Sequence, residues 1–332
     1  MNQTLQRNLT ASSVSTYPNV LDVIGQTPLI RLGHISNHVG FNVYGKAEFM
    51  NPGGSIKDRT SINILMRALE RREIDYDTTI IESSSGNMAI GLAQACKFLK
   101  LSCIVVVDPK ANPQTVKLAR LYGAQVEVVD EPCPTGGYLG ARLSRVQDLL
   151  AMIKNSYWTN QYSNPDNPNS HDATMREIEE QLGSVPDYMM VATSTCGTIM
   201  GCADYINEND RDTQVIAVDA VGSVLFGDTA KKRHIPGHGA SVPSKLLKHS
   251  SIDQVVHVTD QDCVRGCHFL LDQESILAGG SSGGMITALR KLKGKLPADA
   301  NLVFFICDRG ERYLDTIYNP EWVKKTLLKT SA

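Results

Sequence analysis

Four short segments place small, hydroxyl and charged residues at a helix start, three of them directly after a strand-like run, and each suggests a ligand. The first is Asn51-Pro52-Gly53-Gly54-Ser55-Ile56-Lys57-Asp58-Arg59. Proline and two glycines make a tight turn, and Lys57 falls in the first helical turn. A helix N-terminus disfavours added positive charge. Lys57 is therefore either an exposed lysine with its head in water or an amine kept neutral for nucleophilic work, as in a Schiff base. The second is Glu82-Ser83-Ser84-Ser85-Gly86-Asn87-Met88. Its hydroxyls and backbone N–H groups at a helix start form a cradle for a carboxylate. The plainer reading is a helix cap by Ser85 or Asn87. The third is Ser194-Thr195-Cys196-Gly197-Thr198, between an apolar strand and a helix. Successive N–H groups, hydroxyls and a helix dipole suit a phosphate. No Gly-Lys-Ser/Thr follows, so a monophosphate fits better than a nucleoside triphosphate. The fourth is Gly279-Gly280-Ser281-Ser282-Gly283. It matches the nucleophile elbow of serine hydrolases, but that triad needs a histidine downstream of the serine. The last histidine is His268, so the order fails. Ser281 can instead hydrogen-bond a neutral ring nitrogen.

A nucleophilic lysine, a carboxylate cradle, a monophosphate cup and a serine beside a ring nitrogen are together met by pyridoxal 5′-phosphate and an amino-acid substrate. Other chemistries lack their motifs. There is no His-Glu-x-x-His, EF-hand loop or dinucleotide-binding Gly-x-Gly-x-x-Gly in strand–helix context. The eight histidines show no metal spacing and read as surface or satisfied core residues.

The elements that must hold these turns alternate along the chain. Strand-like runs at 43–49, 79–82, 103–107, 125–129, 157–160, 188–192, 215–218, 255–258 and 302–307 are separated by helical patterns, including 57–73, 88–99, 113–122 and 136–153. Such an order predicts parallel sheets covered by helices. The 332 residues suit two domains at about 150 residues each. A boundary is expected near Ser156–Asn169, because the stretch 160–170 is loop-like. With 33 basic and 35 acidic side chains, no charge excess drives nucleic-acid binding. The basic run Lys231-Lys232-Arg233 reads as a solvated loop. No apolar stretch reaches membrane-span length. Residues 1–18 read as a polar tail without a signal-peptide core, which leaves the sequon at Asn8 without a role. Eight cysteines without a Cys-x-x-Cys pair suit a reducing, cytoplasmic setting.

These motifs, from Val23-Ile24-Gly25-Gln26-Thr27-Pro28-Leu29 to Asp308-Arg309-Gly310-Glu311-Arg312-Tyr313-Leu314, resemble those of fold-type II pyridoxal-phosphate enzymes, the cysteine synthase and cystathionine β-synthase family. The resemblance implies a two-domain α/β fold like the tryptophan synthase β-subunit. Residues 19–47 and 157–332 would form the large cofactor-binding domain, and 48–156 a smaller mobile one. It makes Lys57 the Schiff-base lysine, Asn87 the partner of the ring hydroxyl, 194–198 the phosphate cup and Ser281 the partner of the pyridine nitrogen. Ser84, Ser85, Gly86, Asn87 and Met88 become the substrate loop, Gly237-His238-Gly239-Ala240 a mobile loop over the site, and the assembly a homodimer.

The cup departs from the usual Gly-Thr-Gly-Gly-Thr, and Met88-Ala89 replace Thr-Gly. Segments such as Gly136-Gly137-Tyr138-Leu139, Val221–Asp228 and Val107-Asp108-Pro109-Lys110 resemble the N-(2-amino-2-carboxyethyl)-L-glutamate synthase branch. That branch implies β-replacement of phosphate on O-phospho-L-serine by L-glutamate, toward 2,3-diaminopropionate and siderophores. A cysteine synthase using sulfide is the alternative. A leaving phosphate calls for a cationic partner. Arg142 is the candidate, with Tyr162 and Ser194 as further donors; otherwise Arg142 is a solvated helix residue like Arg145.

Overall fold

The computed structural model describes residues 16–134 and 136–328. Most of the expected tail, and Asn8, lie outside them. Ten strands form two sheets: β1 Leu29–Arg31, β2 Asn42–Lys46, β3 Thr79–Ser83, β4 Ser102–Val107, β5 Gln125–Val128, β6 Ser156–Trp158, β7 Tyr188–Ala192, β8 Gln214–Ala220, β9 Gln254–Val258 and β10 Asn301–Phe305. The larger sheet runs β1-β2-β10-β7-β8-β9, and the smaller runs β5-β4-β3-β6. Only the β1–β2 pair is antiparallel. β6 pairs with β3, so a division by sheet membership falls after Trp158 rather than after Ser156.

The strands are apolar on both faces because helices cover both. In the smaller sheet Ile80, Cys103, Val105 and Val107 pack on one side with Ile64, Leu65 and Leu92. Ile81, Ile104 and Val106 pack on the other with Val146 and Leu149. This is the period-two alternation of strand side chains. The larger sheet centres on Met189, Ile216, Val303, Phe304 and Phe305. The expected strand 43–49 ends at Lys46, and Glu48–Met50 is a short 3₁₀ turn. The buried Glu48 there anchors the turn that follows.

That anchor is a buried ion network. Arg59 Nε donates to Glu48 Oε2 at 2.8 Å and Arg59 Nη1 to Glu177 Oε1 at 2.8 Å, while Lys46 Nζ reaches Glu177 at 2.7 Å. It pins the start of the Lys57–Glu70 helix to β2 and to the Asp172–Leu182 helix. A second close contact holds the helix that carries Ser281. A Cβ on Gly266 would lie 1.8 Å from the Gly283 carbonyl oxygen, and one on Gly283 would lie 2.1 Å from that of Cys263. Only glycines let the Asp260–Glu274 and Gly280–Lys291 helices approach so closely.

Candidate active site

The turns that carry the motifs sit at the C-terminal ends of parallel strands, where α/β sheets place their ligands. β3 leads into 83–87, β7 into 193–198, β6 into Gln161 and Tyr162, and β10 into Cys307 and Asp308. Together they enclose a cavity of about 460 Å³ between the two sheets. Lys57, Ser84, Ser85, Gly86, Asn87, Met88, Arg142, Tyr162, Ser194, Thr195, Cys196, Thr198 and Ser281 all line it. Gly197 does not. A Cβ there would fall 2.0 Å from Asn167 Oδ1, so a side chain at 197 would strike Asn167 instead of entering the cup.

Besides the Lys57–Glu70 helix, three helices begin at this cavity, with N-caps Gly86, Cys196 and Gly279, and none of the three has a side-chain cap. Elsewhere Asn112, Thr259 and Asn319 cap their helices, while the helices that start at Gly33, Asp166 and Asp172 also lack a side-chain cap. Neither Ser85 nor Asn87 caps the helix at 87. First-turn N–H groups have no intrahelical partner, so three sets of donors and three positive dipole ends face one cavity. Cys196 adopts a left-handed conformation with φ 65°. This costs a non-glycine residue roughly 1–2 kcal/mol. The strain sits where it turns the chain into the cup.

Burial pushes the Lys57 amine below its ordinary pKa, against partial support from Cys307, Asp308 and Cys196. That favours the neutral amine a Schiff base requires. Cys196 and Cys307 are each pushed up to about 12 by burial and remain thiols. Ser281 lines the cavity with Cys307 and is 8% exposed. The Asn87 amide is engaged across the cavity: Nδ2 donates to Asp308 Oδ2 at 2.7 Å, and Oδ1 accepts from Arg312. Asp308 Oδ1 and Ser83 Oγ are buried without partners. Arg142 lies with Nε 3.4 Å from Asp108 and Nη1 donating to Ser85 Oγ at 3.4 Å, so it faces the cavity, whereas Arg145 pairs with Glu127. The Tyr162 hydroxyl bonds Ser194 and lies in the field of Arg142 and Arg233.

The donor set suits pyridoxal phosphate. An amine, three uncapped helix starts, a buried serine and orphaned polar atoms match an aldehyde, a phosphate, a ring nitrogen and a substrate carboxylate. Sequence reasoning missed Ser83, Gln161, Cys307 and Asp308. Each reaches the cavity from a strand end whose destination is set by sheet order. His238 corrects the reading of the histidines as surface or satisfied core. It is 1% exposed, lines the cavity, and both ring nitrogens lack partners; burial holds its pKa down at about 4. The run 231–233, read as a solvated loop, also lines the cavity.

Glu82 fixes the 83–87 turn to the 159–162 segment. It accepts from Thr159 Oγ1 at 2.5 Å, from the Ser83 N–H at 2.8 Å and from the Gln161 N–H at 3.3 Å. Burial raises its pKa to about 7. Between the unfolded value near 4.5 and about 7 the folded chain holds a proton that the unfolded chain releases. The associated stability is therefore full below pH 4.5 and lost as pH rises through 7. Glu82→Gln is expected to remove about 3 kcal/mol of this pH dependence. Urea unfolding of both proteins at pH 5 and 8 checks it; identical slopes would assign the proton elsewhere.

The chain belongs to the pyridoxal-phosphate-dependent enzyme family, whose model matches residues 20–308. Its fold is that of fold-type II members such as cysteine synthase, and its cofactor is pyridoxal phosphate. It is similar to the cysteine synthase of Entamoeba histolytica, at 28% identity and TM-score 0.87 over 94% of each chain. It is also similar to a hydrogen sulfide-producing enzyme of Fusobacterium nucleatum, at 30% identity and TM-score 0.84 over 90% of this chain and 100% of that one. A third similar structure is O-ureido-L-serine synthase, at 25% identity and TM-score 0.83 over 94% of this chain and 96% of that one. No helix among the described residues is long and apolar enough to cross a membrane.

Proposed function

We infer that the protein is a β-replacement synthase joining O-phospho-L-serine to L-glutamate, with release of phosphate. The product, N-(2-amino-2-carboxyethyl)-L-glutamate, would feed 2,3-diaminopropionate and siderophore synthesis. The observation that carries the reading is Arg142 turned into the cavity beside Ser85, close to the Tyr162–Ser194 pair. An acetyl leaving group needs no such cation; a phosphate dianion does.

Bound pyridoxal phosphate supplies electron withdrawal from the donor's Cα. Lys57 would hold the cofactor at rest, and its amine takes the donor's α-proton and later returns it. The 84–87 loop orients the donor carboxylate with its N–H groups and hydroxyls. Arg142, Tyr162 and Ser194 take the charge that builds on the phosphate as the Cβ–O bond breaks. Ser281 pairs with the ring nitrogen without protonating it, which favours elimination over transamination. Replacement then forms a Cβ–N bond to glutamate with loss of one amine proton. Among the similar structures, O-ureido-L-serine synthase is named for a product other than cysteine.

The assembly we infer is a homodimer in the cytoplasm. The deciding experiment is mass spectrometry of products from O-phosphoserine or O-acetylserine supplied with glutamate, sulfide or ammonia. The glutamate adduct from O-phosphoserine is expected. Cysteine as the dominant product would replace this reading with a cysteine synthase.

A further inference from the structure

We propose that residues 231–233 form a cationic rim that binds the distal carboxylate of the second substrate and selects acceptors carrying two carboxylates. The proposal rests on the β-replacement reading above.

The cavity is lined by five basic side chains, Lys57, Arg142, Lys231, Lys232 and Arg233, against one carboxylate, Asp308. Asp308 is already held by Asn87 and Tyr313. Lys57 and Arg142 lie among the turns assigned to the cofactor and the donor. Three charges remain for another anion. Among the described residues, the side chains of Lys231 and Lys232 have no ion-pair or hydrogen-bond partner. Both are exposed at the mouth of the cavity, while Arg233 reaches inward toward Tyr162, its Nε buried and unpartnered.

The backbone presenting them is fixed. The Lys231 N–H donates to the Gly222 carbonyl at 3.0 Å, and the His234 N–H to Asp260 Oδ2 at 2.8 Å. Arg233 Nη1 donates to the His238 carbonyl and Nη2 to Ser241 Oγ, both at 2.7 Å. Gly222 must be glycine: its φ is +86°, and a Cβ would lie 2.6 Å from that of Lys231. A solvated run needs no such support. The order of binding assigns the rim to the acceptor. The donor lies deeper, between Lys57 and the 84–87 loop, and the later arrival meets the mouth. Unpaired cations at a concave mouth raise the local concentration of anions and discriminate by their charge.

The test uses the holoenzyme and two dead-end probes, glutarate with two carboxylates and glutaramate with one. Binding is read from the cofactor absorbance, without turnover. Wild-type protein is expected to prefer glutarate by about tenfold or more. Lys231→Ser/Lys232→Ser is expected to abolish that preference and to raise the KM for glutamate by a similar factor. Melting temperature reports folding, and the charge reversal Lys231→Glu/Lys232→Glu should invert the preference. An unchanged preference in both variants overturns the rim, even if glutamate is the acceptor. A preference that vanishes in the variants upholds the rim, even if products show a different acceptor and the proposed function falls.

Discussion

Replacing Lys57 with alanine is expected to lower turnover by at least about a thousandfold and to end covalent attachment of the cofactor. The amine lines the cavity, is held toward its neutral form, and has no hydrogen-bond partner among the described residues. The substitution therefore removes chemistry without removing a structural contact. Borohydride reduction and peptide mass spectrometry should find a pyridoxyl group on the peptide containing Lys57 in the wild type and none in the variant. The two proteins should give superimposable circular-dichroism spectra. A variant that kept both the adduct and a near-normal rate would show that another amine does this work.

The second large effect is on donor choice. Arg142→Ala should lower kcat/KM for O-phosphoserine by about a hundredfold or more, the usual cost of removing one partner of a buried, hydrogen-bonded charge pair. Any activity with O-acetylserine should change far less, because that leaving group never carries the phosphate's charge. The structure sharpens the expectation. Arg142 Nε faces Asp108 at 3.4 Å and has no hydrogen bond, so the guanidinium is only loosely held by the protein. It has capacity left for a ligand. Equal losses on both donors would make Arg142 a structural residue.

The turns were legible because glycine, serine and proline at a strand-to-helix junction leave few alternatives. Lys57 and the 194–198 turn could be singled out from such junctions, and Ser281 from a glycine-rich helix start; their roles came from the family resemblance. What stayed hidden depended on sheet order. Asp308 meets Asn87 because β10 and β3 lie at facing edges of the cavity, and no local spacing encodes that meeting. β1 was missed because three residues carry too little periodicity. The 231–233 run was misread because a charge run facing water and one facing a cavity have the same composition. Gly197 was placed in the right loop but for an incomplete reason: its missing Cβ makes room for Asn167.

The three bare helix starts also bear on the stability of the chain. Each absent cap forgoes about 1 kcal/mol that a serine, threonine or aspartate would give the free protein. An anionic group bound at these starts would supply the missing acceptors and so stabilise the folded chain. Anything that binds only the folded chain stabilises it in proportion to the logarithm of its concentration. The melting temperature should therefore climb with added pyridoxal phosphate.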